Sequence, residues 1–454
     1  MRTEKRKRTE EAAVCAGTAD APPGGPVAGW RTAVGSALGL ACGPSVLAVM
    51  TFGMFIAPLH QEFGWGVPAI GLGASLLSLT VVVVSPVQGV LVDRFGGRRV
   101  VLCSAPFFAL ALAAMSLLPD SLPVFYAAWV LIPLCGTGLW PVSYLRVTAG
   151  WFDRGLGLAL GVANCGIGVG TVLVPVLAAA LIGAFGWRAA FLGLGATALV
   201  ALPAACFLLV EPSPRAARAE AVGDTLGAAA TRRPFWLVLG AFLLLGAVGT
   251  GVVVHQIPLL LDAGIAPRTA NLVPVALGLA LVVARIVTGW LLDRFTAARV
   301  MTVHLLGGVV AVLLFAAGPN VPAALLAAAL AGMLIGAEFD VLSYLVPRYF
   351  GRRAFGRIYG VAFSVFQIGG AVAATAIGVS RESHGSYTPA MLALAAACLL
   401  CAALFRGLGP YRYDGRTPPA PEAPPHLPHA GREAELPANQ GAAADGDATP
   451  APER

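Results

Sequence analysis

The sequence predicts an all-α membrane protein with twelve transmembrane helices in two pseudo-symmetric six-helix halves. Three observations predict it. Of 454 residues, 57% are hydrophobic and only 12% charged, with a mean hydropathy of +0.79. A soluble domain carries about 25% charged residues, so this chain has too little polar surface to cover itself in water. The apolar residues gather into twelve runs of the ~20 residues that cross a bilayer as a helix. Finally, the runs repeat. Gly89-Val90-Leu91-Val92-Asp93-Arg94-Phe95 closes one, and Gly289-Trp290-Leu291-Leu292-Asp293-Arg294-Phe295 closes another, 200 residues later. The same offset pairs Arg99-Val100 with Arg299-Val300, Pro58-Leu59 with Pro258-Leu259, and Ser143-Tyr144-Leu145 with Ser343-Tyr344-Leu345.

In chain order, residues 1–32 are polar and basic at their start (Arg2, Lys5, Arg6, Lys7, Arg8) and read as a disordered cytoplasmic tail without a cleavable signal peptide. The N-terminal half, 33–210, holds spans at 33–59, 68–92, 99–118, 122–149, 156–184 and 188–210. A polar linker, 211–234, carries Pro212, Pro214, Arg215, Arg218, Arg232 and Arg233. The C-terminal half, 235–407, holds spans at 235–261, 268–292, 298–318, 321–347, 355–380 and 388–407. Residues 408–454, rich in Pro, Ala and acidic side chains, read as a second disordered cytoplasmic tail. Duplicated membrane units of this kind are how many transporters are built, with a site between two halves that rock.

Orientation follows from the cations. Of the 30 Arg and Lys residues, only Arg188, Arg268 and Arg381 fall at outer loops, and only Arg146 and Arg285 lie more than two residues inside a span. The remaining 25 lie in the tails, the linker and the hairpin ends that share their side. Both termini are therefore expected in the cytoplasm of a cell-membrane protein. The net charge of +7 marks topology, since no basic patch is interleaved with aromatic residues as nucleic acid requires. Cys398 and Cys401 have CxxC spacing but no second ligand pair, so they read as packing residues and no metal or cofactor is expected. The absence of a Gly-x-x-x-x-Gly-Lys motif argues against direct drive by ATP. A membrane enzyme would concentrate His, Asp or Glu clusters at one face, and a sensor would carry a large foldable soluble domain; neither pattern is present.

Ionisable groups inside the bilayer are costly and mark function. Arg285 lies eight residues before Asp293, ~12 Å along the helix. Arg285, Gly289 and Asp293 are spaced i, i+4, i+8 and share a face. The counterpart of Arg285 in the first half is Ser85, so the charge was placed in one copy only. Arg285 reads as a cavity-facing anion ligand, because a planar guanidinium matches a carboxylate bidentately. Glu338 and Asp340 repeat the asymmetry, opposite Gly138 and Trp140. Being i and i+2 they face apart, so one balances Arg285 or carries a proton while the other packs. Tyr344, one turn after Asp340, His255 and Gln256 before the helix-breaking Pro258, and Trp140 beside Pro141 complete the candidate substrate contacts. Asp93 and Asp293 sit at helix C-terminal ends, where the dipole disfavours a negative charge. They need partners, from nearby arginines or from a helix N-terminus in the other half. Gly89 and Gly289 permit close helix approach at the same level.

Twelve spans with a Gly-x-x-x-Asp-Arg hairpin after the second and eighth resemble the major facilitator superfamily. Local patterns are similar to its monocarboxylate transporter and oxalate/formate antiporter branch. They are Phe55-Ile56-Ala57-Pro58-Leu59 with Glu62-Phe63-Gly64-Trp65, Trp151-Phe152-Asp153-Arg154-Gly155 into the fifth span, and Gly186-Trp187-Arg188. In the second half they are Pro258-Leu259-Leu260-Leu261-Asp262 and Gly336-Ala337-Glu338-Phe339-Asp340 leading to Arg348-Tyr349-Phe350-Gly351. The resemblance implies that Arg285 is the carboxylate anchor. It also implies a gating role for the hairpins: Gly89, Asp93, Arg94, Arg98 and Arg99 in one half, Gly289, Asp293, Arg294 and Arg299 in the other. No span contains a lysine, and Leu281 stands where vertebrate members carry an aspartate. One buried cation points to a monocarboxylate, moved with a proton or by exchange, by a monomer in the lipid bilayer. The alternative on the same fold is a proton-driven exporter of an amphipathic compound, with Arg285 structural.

Overall fold

The computed structural model describes residues 25–211, 222–318 and 320–413. The expectations for residues 1–24, 212–221 and 414–454 lie outside these. Thirteen helices matter here: α1 (Gly25–Ala41), α2 (Phe52–Phe63), α3 (Val67–Phe95), α4 (Gly97–Ala114), α5 (Leu122–Cys135), α6 (Pro141–Ala149), α7 (Leu156–Ala198), α8 (Arg233–Asp262), α9 (Leu272–Leu292), α10 (Ala297–Ala316), α11 (Val321–Tyr349), α12 (Phe355–His384) and α13 (Thr388–Arg406). Among the described residues, ten segments are long and apolar enough to cross a membrane. Two physical features separate that number from twelve. The 53-residue segment Leu156–Leu208 holds two expected spans. They join at Gly186, whose φ of +83° and ψ of 169° only glycine adopts without strain. Gly193 lies directly against Leu181, so the chain reverses there. The fourth expected span is split into α5 and α6 by a 3₁₀ turn, Thr137–Leu139, and an extended Trp140.

The first span is broken as well. α1 stops at Ala41, and a π turn, Ser45–Met50, leads to α2. Pro44 has no N–H to continue the ladder. The two breaks meet: a Cβ on Gly136 would fall 2.7 Å from Pro44 Cγ, and one on Gly43 would fall 2.9 Å from Leu139 O. The matching helices of the second half, α8 and α11, run through without interruption.

The tail boundaries shift. Residues 25–32 are helical, because Trp30 packs edge-on against Phe152 and Arg31 donates to Phe207 O, tying the segment to the bundle. Residues 408–411 are also held, with Leu408 buried and the Tyr411 hydroxyl accepting from Ala297 N at 2.6 Å.

Amphipathicity is inverted relative to a soluble protein. On α3, Leu79, Val83, Val87 and Val90 face outward; on α9, Val275, Leu279, Val283, Ile286 and Trp290 do. Both rows follow helical spacing and form a lipid-facing surface, while the opposite faces pack inward.

Candidate functional site

Close helix contact between the halves sets the geometry. α3 packs on α12, and α7 packs on α9. Gly89 meets Gly356 and Gly289 meets Gly157 so closely that a Cβ at either would fall 2.2–2.5 Å from the partner's carbonyl oxygen. Glycine is required at both crossings. Beside them, Asp93 accepts from the backbone N–H of Gly356 at 2.8 Å and Arg357 at 3.0 Å. Asp293 accepts from Gly157 at 2.8 Å and Leu158 at 2.9 Å. Each carboxylate thus caps the second and third residues of a helix in the other half, satisfying donors that no intrahelical carbonyl reaches. It also lies at the positive end of that helix, which removes the unfavourable position it has on its own. Asp93 has Arg146 at 3.5 Å and Arg357 at 3.9 Å as further counter-charges. Another crossing joins Asp153 to Arg352 at 2.8 Å.

The hairpin arginines behave differently. Arg94 and Arg294 lie over the rings of Phe95 and Trp290, at 5.3 and 3.9 Å. Arg98 donates to the carbonyls of Ala205 and Cys206. Arg99 and Arg299 are exposed. Among the described residues, none of these five makes a side-chain bond to the other half. The crossing contacts at this level come from the aspartates and from Arg352 and Arg348, which donate to Phe152 O at 3.0 Å and Asp153 O at 3.2 Å.

Further along the same helix pairs, α7, α9 and α11 meet at Arg285. A Cβ on Gly161 of α7 would fall 2.5 Å from Arg285 O, and one on Gly336 of α11 would fall 2.6 Å from Leu281 O. These contacts enclose the guanidinium, which is 2% exposed. Arg285 Nη1 lies 3.7 Å from Asp340 Oδ1, close enough for charge pairing and too far for a hydrogen bond. Asn164 of α7 donates to the same oxygen at 2.6 Å, bridging the halves. Arg285 Nε and Nη1, Asp340 Oδ2, Asn164 Oδ1 and Glu338 Oε2 are buried with no hydrogen-bond partner among the described residues. A buried charge in this condition is strained toward any ligand that completes its bonds.

Glu338 and Asp340 face apart, as their spacing requires: Glu338 Oε2 turns toward α8 at Gly249. It remains within electrostatic reach of Arg285. Tyr359 of α12 is fully buried, within similar reach of Arg285, Asp340 and Glu338. Trp140 is buried 6.2 Å from the ring of Phe363, which in turn packs on Phe339 and Phe366. Its carbonyl accepts from Gln88 at 3.1 Å.

The other candidates are placed elsewhere. Tyr344 contacts Tyr411 and lies under Arg348, at the hairpin end. His255 Nδ1 is 3.1 Å from Gly251 O and its ring faces Tyr387; Gln256 donates to Val253 O. Neither joins Arg285. Ser85, the counterpart of Arg285, donates to Val81 O in its own helix. The sequence reading missed Asn164, Gln88 and Tyr359. The repeat held a signal for the first: residue 364, the partner of 164, is Ser364, which donates across the halves to Val82 O.

The Major Facilitator Superfamily model matches residues 38–374 and 245–442. Monocarboxylate transporter 11 of Homo sapiens is 27% identical over 390 residues, covering 82% of this chain and 81% of its own. The uncharacterized MFS-type transporter YhjX of Escherichia coli (strain K12) is 26% identical over 334 residues, 71% of this chain and 81% of its own. Among solved structures, the proton:xylose symporter XylE superposes with a TM-score of 0.67 at 16% identity, over 85% of this chain and 96% of that one. FucP in the outward conformation superposes with a TM-score of 0.64 at 17% identity, over 84% and 98%. These last two show likeness of fold.

Proposed function

Because the chain belongs to the major facilitator superfamily, we propose that it carries a small organic anion, a monocarboxylate, by alternating access. The observation that carries this reading is the incompletely bonded Arg285 beside Asp340, where α7, α9 and α11 meet. A carboxylate entering there supplies the two in-plane acceptors that a guanidinium fork matches. The site cannot hold the anion, Asp340 and Glu338 all charged against one arginine. Binding therefore goes with neutralisation of Asp340, or of Glu338 as the second carboxyl in reach, by a proton from solution. In that state Asn164 holds the protonated Asp340 aside, and Arg285 turns its charge to the substrate. Proton and anion then cross as a neutral pair, which lowers the cost of carrying them through the bilayer. Exchange of one anion for another uses the same site without the proton. Trp140, packed with Phe363, supplies the apolar side of the proposed site.

The aspartate caps act at the end of the bundle that we assign to the cytoplasm, from the distribution of arginines and lysines. With both caps made, that end is closed. Breaking them lets the halves rock, each moving as a six-helix unit divided at residues 211–234. The test is uptake of labelled mono- and dicarboxylates into proteoliposomes, with and without an inward proton gradient. Monocarboxylate uptake that rises with the gradient, and is lost when Asp340→Asn or Glu338→Gln removes the proton acceptor while counterflow exchange persists, supports the reading. Gradient-independent uptake of bulky apolar compounds with no carboxylate preference overturns it.

A further inference from the structure

An open cavity of about 400 Å³ lies at the hairpin end between α10 and α13, remote from Arg285. It is lined by Thr296, Ala298, Arg299, Thr302, Val303 and Arg406. Neither guanidinium has a hydrogen-bond or ion-pair partner among the described residues. Thr296, the cap residue of α10, makes no side-chain bond to the helix it precedes.

The internal repeat explains how the cavity arose. At the matching place in the first half, position 298 becomes Arg98, and Arg98 fills the groove by donating to Ala205 O at 3.0 Å and Cys206 O at 2.8 Å. The same offset turns Arg406 into Cys206, Thr302 into Leu102 and Thr296 into Gly96. The second half has thus lost the side chain that closes the groove. Each half has two arginines at these positions, Arg98 and Arg99 against Arg299 and Arg406, and the second half adds two hydroxyls, Thr296 and Thr302, around the opening. Both guanidiniums are exposed at the opening, where a single anion can bridge them.

The surroundings identify the anion's other end. Val303, Leu306 and Val310 continue from Arg299 along one face of α10, and Leu399 continues from Arg406 along α13, all exposed. The spacing i, i+4, i+7, i+11 keeps the α10 row on one face. Cations and hydroxyls at the helix ends, with an apolar track beneath them, match a phosphate head joined to acyl chains. We propose that this cavity binds the phosphate of an anionic membrane phospholipid, in the leaflet at the hairpin end. Basic clefts between membrane helices take such head groups because the local charge and the interface depth act together. A lipid seated there bridges α10 to the end of α13.

The experiment uses the full chain, delipidated in detergent and titrated with phosphatidylglycerol, phosphatidylcholine or inorganic phosphate, with bound molecules counted by native mass spectrometry. Phosphatidylglycerol is expected to bind at least about tenfold more tightly than phosphatidylcholine. Arg299→Ala/Arg406→Ala should abolish that preference. Arg233→Ala/Arg353→Ala, which removes the same charge from exposed positions elsewhere, should keep it. If the alanine pair does not fold, Arg299→Gln/Arg406→Gln makes the same comparison with the side-chain bulk retained. An unchanged lipid preference in the cavity variant overturns the proposal. Inorganic phosphate binding at the same two arginines as tightly as the lipid assigns the cavity to a soluble phosphate and overturns the lipid assignment. Neither outcome bears on transport through Arg285.

Discussion

Replacing Asp93 by asparagine should loosen the closed hairpin end without weakening substrate binding. The carboxylate accepts two backbone N–H groups of α12, at 2.8 and 3.0 Å, and its side chain is 6% exposed, so solvent screens it little. The carboxamide keeps one acceptor oxygen and turns an NH₂ toward the other donor. One bond to a charged acceptor is lost, about 1.5–3 kcal/mol, together with a charge–dipole interaction of about 0.3–1 kcal/mol. Taking about 2 kcal/mol as the part specific to the closed state, the closed-to-open ratio falls about 30-fold. Asp293 makes the equivalent pair of bonds to α7, at 2.8 and 2.9 Å. Because the two caps sit on different helix pairs, their effects should add; Asp293 is exposed, so solvent screens its bonds, and the double variant should shift the ratio further than Asp93→Asn alone but by less than a second factor of about 30. Pulsed electron paramagnetic resonance between spin labels at positions 95 and 353, in a background without native cysteines, reads the hairpin-end distance directly. A growing long-distance population in each single variant, larger in the double, with equilibrium substrate affinity nearly intact, is the expected result. Unchanged distances with lost binding would refute the reasoning and move the aspartates into the binding site.

Two further outcomes follow from other parts of the chain. A reporter enzyme fused after Arg416 should be active only in the cytoplasm, given the 25 cations on that side; periplasmic activity would invert the proposed orientation. At the opposite end, hydrogen bonds from Arg188 and then Trp187 hold the Glu62 carboxyl below its ordinary value of 4.5. A lowered value means that the contact stabilises the fold above pH 4.5 and that this stability is lost as pH falls below it. The melting-temperature gap between wild type and Glu62→Gln should be constant at neutral pH and shrink below pH 4.5. A gap that widens on acidification would contradict that assignment.

The helices and the aspartate caps were legible because each rests on a local property. Length and hydropathy mark a span, and a carboxylate at a helix C-terminus requires an external partner wherever it lies. Arg285 was legible for the same reason, as a charge with no apolar explanation and no counterpart at residue 85. What the sequence did not disclose depends on rotation about helix axes and on packing between halves. Tyr344 shares a helical face with Asp340, yet α11 directs it toward Tyr411 rather than toward Arg285. His255 places one ring nitrogen, Nδ1, against Gly251 O in its own helix turn. Asn164 was overlooked because a single amide among Gly and Ala residues has no pattern of its own, and its role needs Asp340, 176 residues away. The breaks in the first and fourth spans were signalled by Gly43-Pro44 and by Gly136 and Pro141, but a length criterion passes over such interruptions in an otherwise apolar run.

The central claim is that Arg285 binds the transported anion, and a binding titration on folded, purified variants tests it most directly. Removing the guanidinium deletes a charge-assisted bidentate contact and leaves the anion beside Asp340 and Glu338 in a site without a cation. Bonds to charged groups contribute about 1.5–3 kcal/mol each, so Arg285→Ala should weaken anion binding by at least about tenfold. Arg285→Lys should recover only part of the loss, since it keeps the charge and gives up the fork. Ser85→Ala, at the equivalent place in the other half, should leave affinity unchanged. Wild-type affinity in Arg285→Ala would contradict the account and make this arginine a structural partner of Asp340 in a carrier of apolar cargo.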